Sequence, residues 1–432
     1  MASPASTAAP PLCFDPALFP RDHPLHASAF EPEISDGWSR GGPSPDPSLR
    51  RAAPRASALF DELLTLSTAT PCDEKQLMVV DAAETGFGST LSSLVKPLIA
   101  SVAKQKSLLT PYLLLYADKR RCARADLACF FRPLSHCDEE PIARDADAKK
   151  KGRGRRRSRA AAPSDTAGEP VHGGAFLSRF ELAAPSPLRI NRPRATFFSS
   201  RISHTASGLR ALPDRFRADG WFASIAAAYA FLLRPSAELA AALAAAKASL
   251  GWPADGRVLG LHVRMGDACA ASEMARTSRR CDALDAYAPH VERLAARYGV
   301  RHVFLATDSE TVVGAARRRF ARTGLALLYQ KNVSVRARGD AAGGGGLIDN
   351  LLRNGKVDGY AEGWAAALDL LLLGESAALV GKFTSNLDRI AYALMSARGG
   401  CLRPYVSLDA AWCFDFGVRG SGVGVNGTRF QC

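Results

Sequence analysis

The run Arg257-Val-Leu-Gly-Leu-His-Val-Arg264 decides the fold class, because between its two terminal arginines only His262 is polar. A short apolar run of this length predicts a strand that is buried on both faces of a parallel sheet. Three more apolar runs follow in the C-terminal half, at 303–306, 325–329 and 378–380. These four runs predict the strands of one sheet.

Segments with helical spacing alternate with these runs. Helices are predicted at 284–298, at about 362–373, at 386–397, and after the cap Thr307-Asp308-Ser309. Gly299 follows the first of them, where a glycine typically ends a helix. Alternation of this kind implies a parallel sheet with helices on both faces. Residues 251–400 are therefore predicted to form a Rossmann-like α/β domain.

Polar side chains follow the carboxyl ends of the predicted strands, where ligands of such sheets bind. These residues are His262, Arg264, Asp308 and Ser385. In an extended chain His262 and Arg264 point to the same side. A guanidinium chelates phosphate oxygens and an imidazole hydrogen-bonds a base or ribose, so the pair suits a nucleotide diphosphate. The alternative is that Arg264 anchors its own loop through Asp267.

The N-terminal half contains a second strand–turn–helix pattern. The apolar run 77–80 precedes Gly86-Phe87-Gly88-Ser89, and apolar residues then recur at helical spacing up to Val102. Ser107–Tyr116 is predicted as the next strand, residues from about 175 to 220 as loop, and Trp221–Leu250 as helix broken at Arg234-Pro235. The chain is thus predicted as two Rossmann-like domains, with the N-terminal one over 72–250.

Three segments stand apart in composition. Residues 1–55 are rich in Pro, Ala and Ser and are predicted to be disordered. Residues 138–172 are predicted as an exposed insertion, and 401–432 as a Cys-bounded tail. Eight basic residues lie within 149–159, and without them the formal charge falls from +14 to +6. The excess of positive charge therefore belongs mostly to the insertion, and we expect no nucleic-acid partner. The alternative for the basic residues within 149–159 is nuclear targeting or polyanion binding.

Cysteine usage and glycosylation sequons favour an oxidising secretory lumen. The chain has 10 cysteines, and sequons occur at Asn332 and Asn426. No signal peptide or apolar membrane span is visible, so either a first exon is missing or the protein is not lumenal. No Cys/His cluster has the spacing of zinc ligands.

The chain resembles the α-1,6-fucosyltransferases of glycosyltransferase family 23, which include the core and Nod-factor fucosyltransferases. The resemblance covers about residues 72–398 and rests on five segments in order. These are Gly86-Phe87-Gly88 with Gln105–Leu108; Phe131-Arg-Pro-Leu-Ser-His-Cys137; Trp221-Phe222, Tyr229 and Leu233-Arg234-Pro235; Gly260–Arg264 with Asp267 and Leu305–Asp308; and Leu368-Asp369 with Phe383–Asn386 and Arg389–Tyr392.

The resemblance implies a GT-B-like fold, with GDP-fucose bound in the C-terminal domain, a glycan acceptor, inversion at the anomeric carbon and no metal. By motif, His262 and Asp369 would hold the guanine and Arg264 the β-phosphate. The other implied donor-site residues are Gly86, Gly88, Tyr116, Met265, Tyr287, Thr384, Ser385 and Asn386. Asp267, Asp308 and Tyr287 match positions that the family needs for activity. Membership would also imply a Golgi location.

Departures from the family concern the residues after the central strand. Met265, Ala268 and Ser272 stand where the family has a second arginine, a lysine and a glutamate. Inverting transfer needs a base for the acceptor hydroxyl, and a carboxylate is the usual one. Glu273 is the first candidate and Asp267 the second. The alternative functions are a protein O-fucosyltransferase and a catalytically inactive relative that binds GDP-sugar or glycan.

The resemblance also implies a disulfide between Cys72 and Cys137. Proximity in the sequence alone suggests two more, Cys269–Cys281 and Cys413–Cys432.

Overall fold

The computed structural model describes the following residues: 33–34, 58–68, 77–81, 86–109, 115–118, 120–122, 126–136, 195–199, 213–217, 221–265, 282–331, 348–409 and 412. The strands are β1 Glu33–Ile34, β2 Leu77–Asp81, β3 Ser107–Leu109, β4 Ala195–Ser199, β5 Val258–Val263, β6 His302–Thr307, β7 Ala326–Tyr329, β8 Ala378–Gly381 and β9 Tyr405–Ser407. The α-helices are α1 Ala58–Thr68, α2 Phe87–Ala103, α3 Asp214–Arg217, α4 Trp221–Leu232, α5 Ala237–Leu250, α6 Leu284–Tyr298, α7 Glu310–Thr323, α8 Ile348–Arg353, α9 Gly359–Gly374 and α10 Asn386–Gly399.

The larger sheet is parallel throughout, with the strand order β1-β9-β8-β5-β6-β7. All six residues of β5 are buried, as the apolar run around His262 predicts. The chain runs outward from β5 through β6 to β7, and then crosses to β8 and β9 on the other side. In such a sheet the strand order reverses between the central pair, here β5 and β8, and the reversal opens a crevice at their carboxyl ends.

Local signals set the helix ends around this sheet. Gly299 ends α6 with a φ of 65°, a left-handed conformation that glycine adopts without a Cβ penalty. Ser309 is the N-cap of α7, where its hydroxyl accepts a hydrogen bond from Val312 N at 3.4 Å. Both predicted helix ends are confirmed. The cap also keeps the preceding Asp308 at the carboxyl end of β6.

The smaller sheet has three parallel strands in the order β3-β2-β4. β2 and α2, on either side of Gly86, confirm the predicted strand–turn–helix pattern. The helical region 221–250 is divided at Pro235 as predicted, because a proline within a helix removes a backbone donor.

Three short strands depart from the sequence prediction. β4 lies in the stretch predicted as loop, whereas β3 begins the predicted strand Ser107–Tyr116, of which residues 110–114 lie outside the described residues. β9 lies in the predicted tail 401–432, and β1 in the extension 1–55 predicted to be disordered. Strands this short carry no periodic pattern of their own, and their ladder hydrogen bonds come from neighbours distant in sequence.

One apolar core joins the smaller sheet to one face of the larger sheet. It includes side chains from α2, α4, α9 and α10, and α10 packs against the other three helices. In this core the ring of Phe222 meets Trp412 edge-on with 4.7 Å between centroids, and lies 5.7 Å from Tyr392. A second apolar cluster, which includes α6 and α7, covers the opposite face of the larger sheet. Shared packing therefore fixes α10 relative to both sheets.

A disulfide joins Cys122 to Cys129, and Cys401 is also disulfide-bonded. Free cysteines are absent from the part of the chain that the structure describes. The predicted pairs Cys72–Cys137, Cys269–Cys281 and Cys413–Cys432 lie outside the described residues, as does the basic insertion.

Candidate functional site

His262 lies at the carboxyl end of β5, directly beside the point where the strand order reverses. Its side chain is largely buried, with 9% exposed. The Nδ1 atom lies 2.8 Å from Oδ2 of Asp388, in the first turn of α10. The same carboxylate oxygen accepts a hydrogen bond from the backbone N–H of Lys382, which follows β8, at 3.3 Å. Asp388 therefore ties the ends of β5 and β8 together.

Sequence reasoning did not single out Asp388 for the site. A signal existed, since Ser385-Asn-Leu-Asp388 has the Ser-x-x-acid spacing of a helix N-terminus. The hydroxyl of Ser385 does cap α10, accepting from Asp388 N at 3.5 Å. That spacing, however, predicts a carboxylate that binds its own helix end rather than a histidine 126 residues away in the chain.

Arg264 and Met265 follow β5 immediately, and Arg264 is exposed. The backbone N–H of Met265 donates to Oδ1 of Asp308 at 2.7 Å, and Asp308 is itself buried. The hydroxyl of Thr307 donates to the carbonyl of Val263 at 2.6 Å. Two contacts from the end of β6 therefore hold the backbone on both sides of Arg264. The structure places Asp308 as a brace for the arginine's chain segment.

The N-terminus of α10 meets the N-terminus of α2, which brings predicted residues from both halves together. Asn386 donates from Nδ2 to the hydroxyl of Ser89 at 2.6 Å, and its Oδ1 accepts from Ser92 at 3.4 Å. A Cβ built on Gly88 would lie 3.2 Å from Asn386 Cβ and 3.2 Å from Leu387 N. A glycine at position 88 thus permits the close approach of the two helix ends.

Gly86 has no such steric role. It is the N-cap of α2, has a φ of −52°, and a Cβ built on it would have no neighbour within 4 Å.

Thr384 is buried against a carboxylate that the sequence analysis did not include. Its backbone N–H donates to Oδ1 of Asp409 at 3.3 Å, and its hydroxyl donates to Oδ2. Burial raises the pKa of Asp409 above its usual range, while the bonds from Thr384 act in the opposite direction. Both polar groups of Thr384 therefore hold the loop before α10 in place.

Lys382, directly after β8, forms an ion pair with Asp282. Its Nζ lies 2.7 Å from Oδ2 of Asp282, and each side chain is only 12% exposed. The same ammonium group lies 5.8 Å from the ring centre of Tyr287. Tyr287 is almost fully buried, and burial followed by the charge of Asp388 raises the pKa of its phenol well above the usual value. Its hydroxyl is therefore un-ionised at neutral pH.

Asp369 and Tyr116 have different surroundings. Oδ1 of Asp369, on α9, accepts a hydrogen bond from Gln330 Nε2 at 2.7 Å. Gln330 directly follows β7, so Asp369 lies at the same edge of the sheet as His262. Tyr116 is 2% exposed and packs edge-on against Phe87 with 5.2 Å between centroids. The donor contact that the resemblance implies for Tyr116 would require this packing to rearrange.

The two candidate bases, Asp267 and Glu273, lie outside the described residues. In the ranges that the structure does describe, no group of three or more His, Cys, Asp or Glu side chains could hold a metal ion. Within the same ranges, none of the helices is long and apolar enough to cross a membrane.

A cavity of about 390 Å³ lies at the opposite edge of the larger sheet, away from His262. Its lining includes Lys247, Arg398 and Glu375, which form ion pairs with N–O distances of 2.6 and 3.6 Å. The C-termini of α5, α9 and α10 also border this cavity. Helix C-termini carry negative partial charge, so the cations there offset helix dipoles rather than forming an anion site.

Comparisons with known proteins give remote similarities only. No protein-family model matches the chain, and no curated protein sequence matches it. The chain is similar to POFUT1 in complex with GDP-fucose, with 11% identity and a TM-score of 0.42 over 79% of this chain and 99% of that one. It is similar to the fucosyltransferase NodZ from Bradyrhizobium, with 16% identity and a TM-score of 0.34 over 74% and 92%.

A third similarity is to a variant of Arabidopsis thaliana FUT1 in complex with GDP, with 10% identity and a TM-score of 0.40 over 83% and 74%. Similarities of this size assign no role to any residue of the site described above.

Proposed function

We propose that this chain is an inverting, metal-independent glycosyltransferase that transfers fucose from GDP-fucose to a glycan acceptor. The observation that carries the proposal is the arrangement at the reversal of strand order. His262 and Arg264 lie at the carboxyl end of β5, on one side of the reversal. The N-terminus of α10 lies on the other side, after the carboxyl end of β8. The resemblance to family 23, which rests on five ordered sequence segments, favours a guanine nucleotide sugar as the ligand.

The charges at this edge suit a diphosphate. Arg264 presents a planar guanidinium that binds two phosphate oxygens at once. A helix N-terminus carries about half a positive charge, and the N-termini of α10 and α2 lie next to each other at this edge. Together these groups supply positive potential without a metal ion. The same potential stabilises GDP as negative charge develops on the leaving group.

The acceptor hydroxyl needs a base on the opposite face of the donor sugar for inversion. We assign this role to Glu273, with Asp267 as the second candidate. Asp308 supports the reaction by holding the backbone N–H of Met265, which fixes the chain next to Arg264. Asp369 is assigned to the guanine, near the end of β7.

One observation favours a second candidate function, an inactive relative that binds a GDP-sugar or a glycan. Met265 stands where family 23 has a second arginine, and it brings only its backbone N–H to the site. Ala268 likewise stands where the family has a lysine, so the segment after β5 has two fewer cations than the family pattern. Donor binding would survive these changes better than turnover, because the missing charges matter most as GDP departs.

The experiment that tests both functions is a screen of GDP-sugars and UDP-sugars with a panel of glycans. Transfer from GDP-fucose supports the proposal, and the linkage and anomeric configuration of the product are then determined by NMR. Saturable GDP binding with neither transfer nor donor hydrolysis identifies the inactive relative. Failure to bind GDP at millimolar concentration contradicts the transferase and a relative that binds GDP-sugar, and binding to the glycan panel then decides whether the inactive relative binds a glycan. A folded Arg264→Ala variant serves as the control for phosphate recognition.

The proposed location is an oxidising compartment such as the secretory lumen. The disulfide between Cys122 and Cys129 supports it, because such bonds persist mainly where glutathione does not keep thiols reduced. Alkylation of non-reduced protein taken directly from cells tests this proposal. Labelling at both cysteines would contradict it.

A further inference from the structure

We propose that Asp388 is a positioning residue that sets the protonation pattern of His262, so that the imidazole presents Nε2 to the nucleotide. The inference deepens the proposed function and rests on it in one respect, the identity of the ligand. It starts from the contact between His262 Nδ1 and Asp388 Oδ2, at 2.8 Å.

Asp388 fixes which ring nitrogen carries the proton. An ionised carboxylate only accepts hydrogen bonds, so the nitrogen that faces it must be the one that bears hydrogen. Nδ1 of His262 therefore donates to Asp388, and in the neutral ring Nε2 is left as an acceptor. An acceptor at this position matches the donors of a nucleoside, namely an exocyclic amine, a ring N–H or a ribose hydroxyl. Without Asp388 the ring is free to adopt the opposite tautomer.

Burial argues that stability alone does not explain this carboxylate. Asp388 is 1% exposed, and among the described residues no hydrogen-bond partner reaches its Oδ1 atom. Such an orphaned oxygen costs free energy compared with an apolar side chain of similar shape. The carboxylate also depends on a glycine opposite, since a Cβ at Gly381 would collide with it. A costly group held in a shaped space fits a role in orienting His262.

The test is a double-mutant cycle in GDP binding, made on the full chain. Asp388→Leu removes the acceptor while keeping the number and branching of the side-chain heavy atoms, and we expect GDP to bind about tenfold more weakly, which is about 1.4 kcal/mol. Asp388→Asn keeps a neutral acceptor and should bind GDP with intermediate affinity. In a His262→Gln background, Asp388→Leu should weaken binding no further, because Asp388 acts through the imidazole.

A spectroscopic measurement that needs no nucleotide accompanies the cycle. Long-range proton–nitrogen NMR of the free protein should show His262 with hydrogen on Nδ1, and the resonance is assigned by its loss in His262→Gln. In Asp388→Leu we expect part of the protein to carry the hydrogen on Nε2 instead. Glu292→Gln is the matched control, since it neutralises a carboxylate on α6 that pairs with Arg319 on α7, and neither residue is assigned to the site. It should leave both the tautomer and GDP affinity unchanged.

The outcomes separate this inference from the proposed function. Hydrogen on Nε2 in the wild type overturns the inference. So does an equal, additive loss of affinity from Asp388→Leu in both backgrounds, which would indicate a general structural effect. If the wild type does not bind GDP, the proposed function fails, and the NMR comparison of wild type with Asp388→Leu still decides the role of Asp388.

Discussion

The close approach of α2 and α10 at Gly88 makes a quantitative prediction for Gly88→Ala. The added methyl group would lie 3.2 Å from Asn386 Cβ and 3.2 Å from Leu387 N, and one of these neighbours is backbone that has little freedom to move. Alanine in a helix gains up to about 1 kcal/mol over glycine. Overpacking of a tight contact costs about 1–3 kcal/mol. We therefore expect a net loss of stability of about 0–2 kcal/mol.

Gly314→Ala is the matched control for helix propensity. Gly314 lies within α7, and a Cβ there would meet only the end of the Arg318 side chain, at 3.6 Å. This substitution should stabilise the protein by up to about 1 kcal/mol and leave nucleotide binding unchanged. The difference between the two variants then isolates the contact between the helices.

The assay combines urea unfolding with titration of GDP by calorimetry. Displacing the N-terminus of α10 should cost a helix-terminus contribution of about 0.3–1 kcal/mol, so Gly88→Ala should bind GDP about two- to fivefold more weakly. A Gly88→Ala protein that gains stability as Gly314→Ala does, and binds GDP like the wild type, would refute the reasoning. If GDP binds to none of the proteins, the unfolding data still test the contact.

Three further predictions concern the same edge of the sheet. Arg264→Ala should lower turnover on the order of a hundredfold, because contacts that strengthen as GDP departs are worth about 3–4 kcal/mol, and Arg264→Lys should restore little; near-normal turnover in a folded Arg264→Ala protein would show that the arginine only braces its own loop. Turnover should survive EDTA, and loss of activity that manganese restores would contradict a metal-independent reaction. Asp308→Ala should destabilise the protein by about 1–3 kcal/mol, because the N–H of Met265 loses its acceptor. A midpoint of urea unfolding equal to that of the wild type would contradict this role of Asp308.

The sequence by itself predicted the central strand and the helices of the larger sheet. The apolar run around His262 is buried at every residue of β5, and Gly299 and Ser309 end and begin helices at the predicted places. These features are local. A buried strand needs only its own apolar side chains, and a helix end needs only a residue suited to its backbone conformation or its free N–H groups.

The short strands β1, β4 and β9 could not be predicted in this way. Each has two to five residues, and each is a strand only because a neighbour distant in the chain supplies its hydrogen bonds. A window of sequence holds no information about that neighbour.

The candidate site was likewise predicted from the sequence only in part. The side-chain types of His262 and Arg264 predicted a site for a nucleotide diphosphate, and the family resemblance added Asn386 to that prediction. Only the tertiary structure decided that Asp388 binds the imidazole. The reason is physical: the carboxylate comes within 2.8 Å of Nδ1 through the packing of α10 against α4 and α2, contacts that no local spacing encodes.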